Sequence, residues 1–155
     1  MTIVNAGRTG VERGVYQGAV AAGLPVTGVC RRAHRDELGY IPTELAQLLT
    51  PCEDRGLRAA VNRCLAMSNA MLLVVPDRRD LSRFPHLVWV LKRARAAGLP
   101  VRIHDEATSL PDTIAWTFGE DRAVYITGPR WTRWSAGEPI ARRLLRAVIP
   151  AEAIA

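Results

Sequence analysis

The sequence contains one lysine, Lys92, in a chain of 155 residues that still carries a formal net charge of +6. Every other cation is an arginine, and the arginines are spread along the chain rather than gathered in one block. That spacing weakens the reading of a basic nucleic-acid tail, while nucleic acid stays open as a partner. Two readings of the surplus stay open: arginine-rich codon usage, and a selected anion surface. Cysteine is scarce: Cys30, Cys52 and Cys64 are widely spaced, with no CxxC pair. This argues against a disulfide framework or a zinc knuckle, leaves no metal site expected at Cys30, and suits a reducing cytoplasm. No apolar run approaches the roughly 18–20 residues that span a bilayer, and Met1–Val4 lacks the charged-then-apolar layout of a signal peptide. No membrane partner is expected. Three nucleotide and hydrolase signatures are also missing: GxxxxGK[ST], GxGxxG and GxSxG do not occur.

What is present suits one globular domain over residues 1–155. The hydrophobic share, 48%, is too high for a disordered chain. Thr2–Ala6 reads as a strand and Val11–Ala22 as a helix, with Val11, Val15, Ala19 and Ala22 on one face. Pro25–Val29 reads as a second strand and Arg31–Pro42 as a long loop. Glu53–Met67 is expected to be helical, with Leu57, Ala60, Val61, Cys64 and Leu65 inward. Met71–Val75 is a continuous apolar run, the pattern of a strand buried on both faces. Helix Leu87–Ala97, strand Val101–His104, helix Pro111–Phe118, strand Ala123–Thr127 and helix Pro139–Val148 follow. Five alternations of strand and helix predict an α/β fold, a doubly wound and mainly parallel five-stranded sheet with helices on both faces. Such sheets bind ligands beyond the carboxyl ends of their strands.

At that edge the first junction reads Ala6-Gly7-Arg8-Thr9-Gly10. Two glycines let backbone approach a ligand, and free amides at a helix start favour an anion. Thr9 is a candidate cap or donor, and Arg8 and Arg13 are candidate charge-assisted donors. Gly128-Pro129-Arg130 ends the fifth strand and places Arg130 toward the same edge, where a guanidinium suits phosphate or carboxylate. Trp131 and Trp134 are expected to cover the ligand edge or a subunit contact. The loop Cys30–Gly39 brings Arg31, Arg32, His34, Arg35, Asp36 and Glu37, and could fold over an anion as a lid. The anion pocket is expected to gather Gly7, Arg8, Thr9, Gly10, Arg13, Arg31, Arg32, Gly128 and Arg130, while Arg142, Arg143 and Arg146 lie away on the last helix. No residue is nominated strongly for catalysis. Glu12 and Glu37 are the weak candidates, with Asp105 and Glu106 near the same edge; a solvated surface carboxylate is the expected state of each. His34, His86 and His104 fall in or beside loops, where a surface position is the plain reading.

These segments together resemble a known family. Ala6-Gly7-Arg8-Thr9-Gly10-Val11-Glu12-Arg13 resembles the GGQTG-x-DR opening of the molybdenum-cofactor carrier-like proteins, within the Rossmann-like SLOG group that also holds the LOG phosphoribohydrolases and DNA-processing protein A. Leu24–Cys30 is similar to that family's G-I-P-x-G-G-W-C. Arg31–Pro42 is similar in length to its P-K-G-R-R-A-E-D-G-x-I-P loop, with Glu37, Gly39, Ile41 and Pro42 in register. Ala123–Arg130 resembles its late L-N-V-A-G-P-R. The departures are Arg8 for Gln, Glu12 for Asp, and Ala59–Arg63 in place of T-E-W-N-V. The segment Pro76–His86 has no glycine where the family has a G-G-T turn and LOG enzymes have P-G-G-x-G-T-x-x-E.

The resemblance implies a Rossmann-like fold, homo-oligomers (dimer or tetramer), and a small phosphate-bearing ligand, either the molybdenum cofactor or a nucleotide. It carries Arg8, Thr9, Gly10 and Arg130 over as ligand contacts. With the G-G-T turn missing, the second phosphate cradle must be remade by Arg78, Arg79 or Arg83, or is lost. A cytoplasmic binding protein is therefore the leading expectation. The alternatives are a nucleotide hydrolase of LOG type, against which the missing signature counts, and a non-catalytic domain that serves as a protein-interaction subunit.

Overall fold

The structure is a computed structural model and describes residues 1–53, 56–117 and 122–148. Strand β1 (Thr2–Val4) leads into helix α1 (Val11–Ala21) and strand β2 (Val26–Thr27). The chain leaves the sheet at Gly28. A side excursion follows: β3 (Val29–Cys30), a 3-10 turn Arg32–His34, the hairpin β4 (Arg35–Asp36) and β5 (Gly39–Tyr40), α2 (Thr43–Ala46) and β6 (Thr50–Pro51). Helix α3 (Leu57–Ala66) returns the chain to strand β7 (Ala70–Val74). A 3-10 segment Arg78–Arg83, helix α4 (Pro85–Ala96), strand β8 (Val101–His104), helix α5 (Leu110–Thr117), strand β9 (Ala123–Thr127) and helix α6 (Gly137–Arg146) complete the chain.

The five-stranded sheet runs in the order β2-β1-β9-β7-β8 and all its pairings are parallel. Its registers include Ile3 with Val124 and Leu72 with Ile126. The doubly wound α/β arrangement expected from the alternating pattern is present. Side chains alternate across the pleat, so each strand feeds two cores. Ile3, Ala70, Leu72, Val74, Val124 and Ile126 face α1 and α6. Val4, Met71 and Tyr125 face α3 and α4. Strand β7, flanked on both sides in the sheet and buried at all five positions, reads as the unbroken apolar run it is.

The excursion was expected as an irregular loop over Arg31–Pro42. It holds a short hairpin instead and has its own small core of Cys30, Ile41, Leu45 and Leu49 beneath it. Helix α4 begins two residues earlier than its apolar periodicity suggested, because Pro85 occupies the first turn, where a missing N–H costs nothing. Helix α6 likewise starts at Gly137 rather than Pro139. Of the expected helix ends, Phe118 lies outside the described residues.

Strand β9 is last in sequence among the sheet strands but sits between β1 and β7. The loops that leave β1, β9 and β7 therefore emerge side by side at one edge. This placement makes the site.

Candidate functional site

The loop after β1 is built on a buried polar network. Asn5, fully buried, donates from Nδ2 to the Glu12 carbonyl at 2.8 Å and accepts the Gly7 N–H at 2.8 Å, which bends the loop back over the helix start. Gly10 precedes α1 at φ 75°, and a Cβ there would collide with the backbone of Pro129, Arg130 and Trp131. Only glycine allows this, for reasons both of backbone sign and of space. The two loops that carry Arg8 and Arg130 thereby lie in contact.

Glu12 is fully buried, which corrects the expectation of a solvated surface carboxylate near the ligand. Its Oε1 accepts the Ala6 N–H at 2.6 Å, and its Oε2 accepts the hydroxyls of Tyr125 at 3.0 Å and Thr127 at 2.9 Å. Arg8 Nη1 lies 4.0 Å from the same carboxylate and donates to the Gly128 carbonyl at 3.3 Å. Burial pushes the Glu12 carboxyl upward, against the lowering effects of Arg8 and of its three hydrogen bonds. The Tyr125 hydroxyl is pushed up as well, by burial and by the Glu12 charge. Glu12 thus works from behind: it fixes the loop and the base of Arg8.

Two recesses open at the edge and share Arg8, Leu57 and Arg130. The larger, a chamber of about 320 Å³, is completed by Phe84, Pro85, His86, Leu87 and Arg133. The smaller, an annex of about 70 Å³, is completed by Ala6, Arg31, Arg35, Asp36 and Glu37. The chamber has two unlike sides. Leu57, Phe84 and Leu87 form an apolar wall, and Arg8, Arg130 and Arg133 supply donors only. Arg133 also donates to the Arg83 carbonyl at 2.8 Å, which ties the loop after β9 to the segment before α4. His86 lines the same space, its Nε2 buried without a hydrogen-bond partner among the described residues. Burial, then the charges of Arg8, Arg58 and Arg130, push its imidazole down to about 4, so it is neutral at physiological pH. A surface position was expected for His86; the start of α4 turns it inward instead.

Several expected ligand contacts are otherwise engaged. Thr9 does not cap α1, because Gly10 occupies the cap position. Its N–H and hydroxyl donate to the two oxygens of Glu37 at 3.2 and 2.8 Å, and its hydroxyl accepts the Trp131 N–H at 3.1 Å. Arg13 is paired with Asp36 at 2.8 Å and lines neither recess. Arg32 is exposed on the 3-10 turn, also outside both recesses. Gly7 and Gly10 serve the loop's shape, and Gly128 serves through its carbonyl on Arg8.

Of the three arginines that could remake the missing turn, none lines either recess, and two are otherwise engaged. Arg78 is clamped on Asp105 at 2.9 Å and on the Thr108 hydroxyl at 2.6 Å, and Arg79 closes on Asp77 at 2.7 Å. The Arg78 guanidinium holds the Asp105 carboxyl well below the usual carboxylate range. Asp105 therefore acts as a structural clamp, and Glu106 is exposed away from the chamber. Trp134 packs on the core between α1 and α6, while Trp131, 47% exposed, borders a separate groove with Tyr16, Leu38 and Pro42. Cys30 is buried in the excursion's core, and no His, Cys, Asp or Glu cluster suited to a metal occurs among the described residues. Leu57, Phe84, Leu87 and Arg133 were not foreseen in the site; Pro85 was the one available signal, since it marks a helix start at the ligand edge.

No family model matches the chain, and no curated protein matches it. Among solved structures, the "Putative molybdenum carrier protein" from Syntrophus aciditrophicus SB matches with a TM-score of 0.80 at 19% identity. The match covers 97% of this chain and 94% of that one. At that identity the likeness is one of fold, and it extends over nearly the whole chain. The expected Rossmann-like architecture is therefore shared with a protein of the kind the sequence motifs resemble. No helix among the described residues is long and apolar enough to cross a membrane.

Proposed function

We propose that this chain is a binding protein for a small phosphate ester carried on a planar ring, nucleotide-like or molybdopterin-like, seated in the chamber at the C-terminal edge of the sheet. The observation that carries the proposal is that Arg8, Arg130 and Arg133 line one chamber together with the apolar Leu57, Phe84 and Leu87. Guanidinium donors suit a phosphate, and the apolar wall suits a ring face. At about 320 Å³ the chamber lies at the small end of the range of roughly 300–1,000 Å³ typical of ligand sites. A mononucleotide or a pterin phosphate is the fitting scale.

The fold neighbour's name, a molybdenum carrier, supports the pterin member of this class. The donor set favours a hold through the phosphate arm rather than through the metal. Cys30, Cys52 and Cys64 are buried, and none lines the chamber. Cleavage of an N-glycosidic bond is less well supported, since no carboxylate among the described residues lines the chamber to serve as acid or base.

Calorimetric titration with AMP, GMP and molybdopterin, repeated on Arg130→Ala and Arg133→Ala, tests the reading. Each substitution is expected to weaken binding about tenfold or more, the worth of one charge-assisted hydrogen bond. Saturable binding that neither substitution alters would place the ligand elsewhere.

A further inference from the structure

One wall of the annex beside the chamber is an acidic side chain that sits on anion donors. Glu37, at the tip of the β4–β5 hairpin, places its carboxylate on the Thr9 N–H and hydroxyl, 3.2 and 2.8 Å away, at the start of α1. These are the donors and the helix end that an anion would use. The cations around Glu37 exceed what it neutralises. Arg8, Arg31, Arg35 and Arg130 line the annex with Asp36 and Glu37. Asp36 is spent on Arg13, and Arg8 faces Glu12. Arg35 lies over the Tyr40 ring at 4.9 Å and donates to its hydroxyl, so Arg31 and Arg130 are left; once Glu37 withdraws, their two charges match a phosphate group at roughly −1.5 to −2. Arg8 is only 6% exposed, yet its Nε has no hydrogen-bond partner among the described residues.

The hairpin that delivers Glu37 is lightly held. Leu38 and Tyr40 are 62% and 71% exposed, so the tip buries little apolar surface. Besides Glu37, its side-chain hydrogen-bond tie to the rest of the protein among the described residues is the Asp36–Arg13 pair. Segments with few buried apolar contacts open at low cost.

We propose that Glu37 is a removable occupant of an anion seat, and that a phosphate group of the bound ligand takes the Thr9 amide and hydroxyl in its place, releasing the Asp36–Gly39 hairpin as a lid. The proposal rests on the chamber as the ligand site and adds a second seat to it. The ring lies against Leu57 and Phe84 in the chamber, Arg8 and Arg130 span the boundary, and the phosphate enters the annex. The annex already holds about 70 Å³ beside Glu37, roughly twice the liquid-water share of one molecule, and withdrawal of that side chain adds the space a phosphate group needs.

Binding of inorganic phosphate and of AMP to the wild type, Glu37→Ala, Glu37→Gln and Arg130→Ala tests this by calorimetry. If Glu37 holds the seat nine-tenths of the time or more, its removal raises apparent affinity for both probes about tenfold or more, because the binding-competent fraction is no longer limiting. Glu37→Gln, which keeps the reach but not the charge, should gain in the same direction by less. Hydrogen exchange on the wild type provides a readout that needs no variant: phosphate should speed exchange at Leu38 and Ile41, whose amides are bonded within the closed hairpin to Asp36 and His34. Unchanged or weaker binding in Glu37→Ala, or hairpin exchange unaffected by saturating phosphate, overturns the seat. If in that case Arg130→Ala still abolishes AMP binding, the chamber reading survives; if Arg130→Ala also changes nothing, both readings fall.

Discussion

Substitution of Glu12 by Gln examines whether the site is held from beneath. The carboxylate is fully buried and accepts hydrogen bonds from Ala6, Tyr125 and Thr127 while facing Arg8 at 4.0 Å. Glutamine keeps the shape, and its oxygen can accept the Ala6 N–H while its NH2 group donates to the two hydroxyls, which turn to accept, so the substitution removes chiefly the charge. It leaves the Arg8 guanidinium buried without a counter-charge. Removing one partner of a buried pair costs about 3–5 kcal/mol. Two features place this case at the lower end: Arg8 retains the Gly128 carbonyl, and the burial that pushes Glu12 upward is relieved in the neutral amide. A loss of about 3 kcal/mol lowers the melting temperature by about 6–12 °C for a domain of this size. Urea unfolding followed by circular dichroism measures the free energy directly, with unchanged m expected. A loss below about 1 kcal/mol would show that the network is not what secures Arg8. A cycle with Arg8→Gln would then isolate the pair itself.

Three further outcomes follow from the same geometry. Helices α1 and α6 touch at Gly14, where a Cβ would strike the Glu138 backbone; Gly14→Ala should therefore destabilise by about 1–3 kcal/mol, although alanine is the better helix former, and a thermal melt reads the sign. His86 is held neutral down to about 4, whereas the unfolded chain takes up its proton near 6.5. The unfolded state binds more protons across that window, so stability falls as pH drops from about 6.5 to 4, and His86→Leu should flatten the slope. Glu12, whose folded pKa is raised, contributes the opposite slope to both proteins and cancels in the comparison. Arg130 is exposed and makes no side-chain hydrogen bond among the described residues, so Arg130→Ala should change stability by no more than about 0.5 kcal/mol while it weakens ligand binding.

Strand positions were legible because parallel strands buried on both faces leave near-continuous apolar runs closed by Pro or Gly, as at Met71–Pro76 and Ala123–Gly128. Their spatial order was not, since neither length nor composition indicates that β9 inserts between β1 and β7. Glu12 was misread for a related reason. A carboxylate in the first turn of an amphipathic helix looks solvent-facing, and only the fold brings Tyr125 and Thr127, more than a hundred residues away, to meet it. The Ala6–Gly10 loop and Arg130 were expected beyond the carboxyl ends of the strands, and they lie there, after β1 and β9. Phe84, His86 and Arg133 were missed as chamber residues because the segment before α4 replaces the expected glycine turn with a proline-started helix. Thr9 was recognised as an anion donor, but that its anion would be Glu37 of the same chain depends on a hairpin in a segment that reads as plain loop.

The central claim is that the ligand enters between the loops after β1, β7 and β9. Amide shift mapping of the labelled chain on titration with AMP tests it most directly. The account predicts saturable shifts clustered at Arg8, at Phe84–Leu87 apart from Pro85, and at Arg130–Arg133. Shifts confined to the groove of Tyr16, Leu38 and Trp131, or no saturable shift at millimolar AMP, would contradict it.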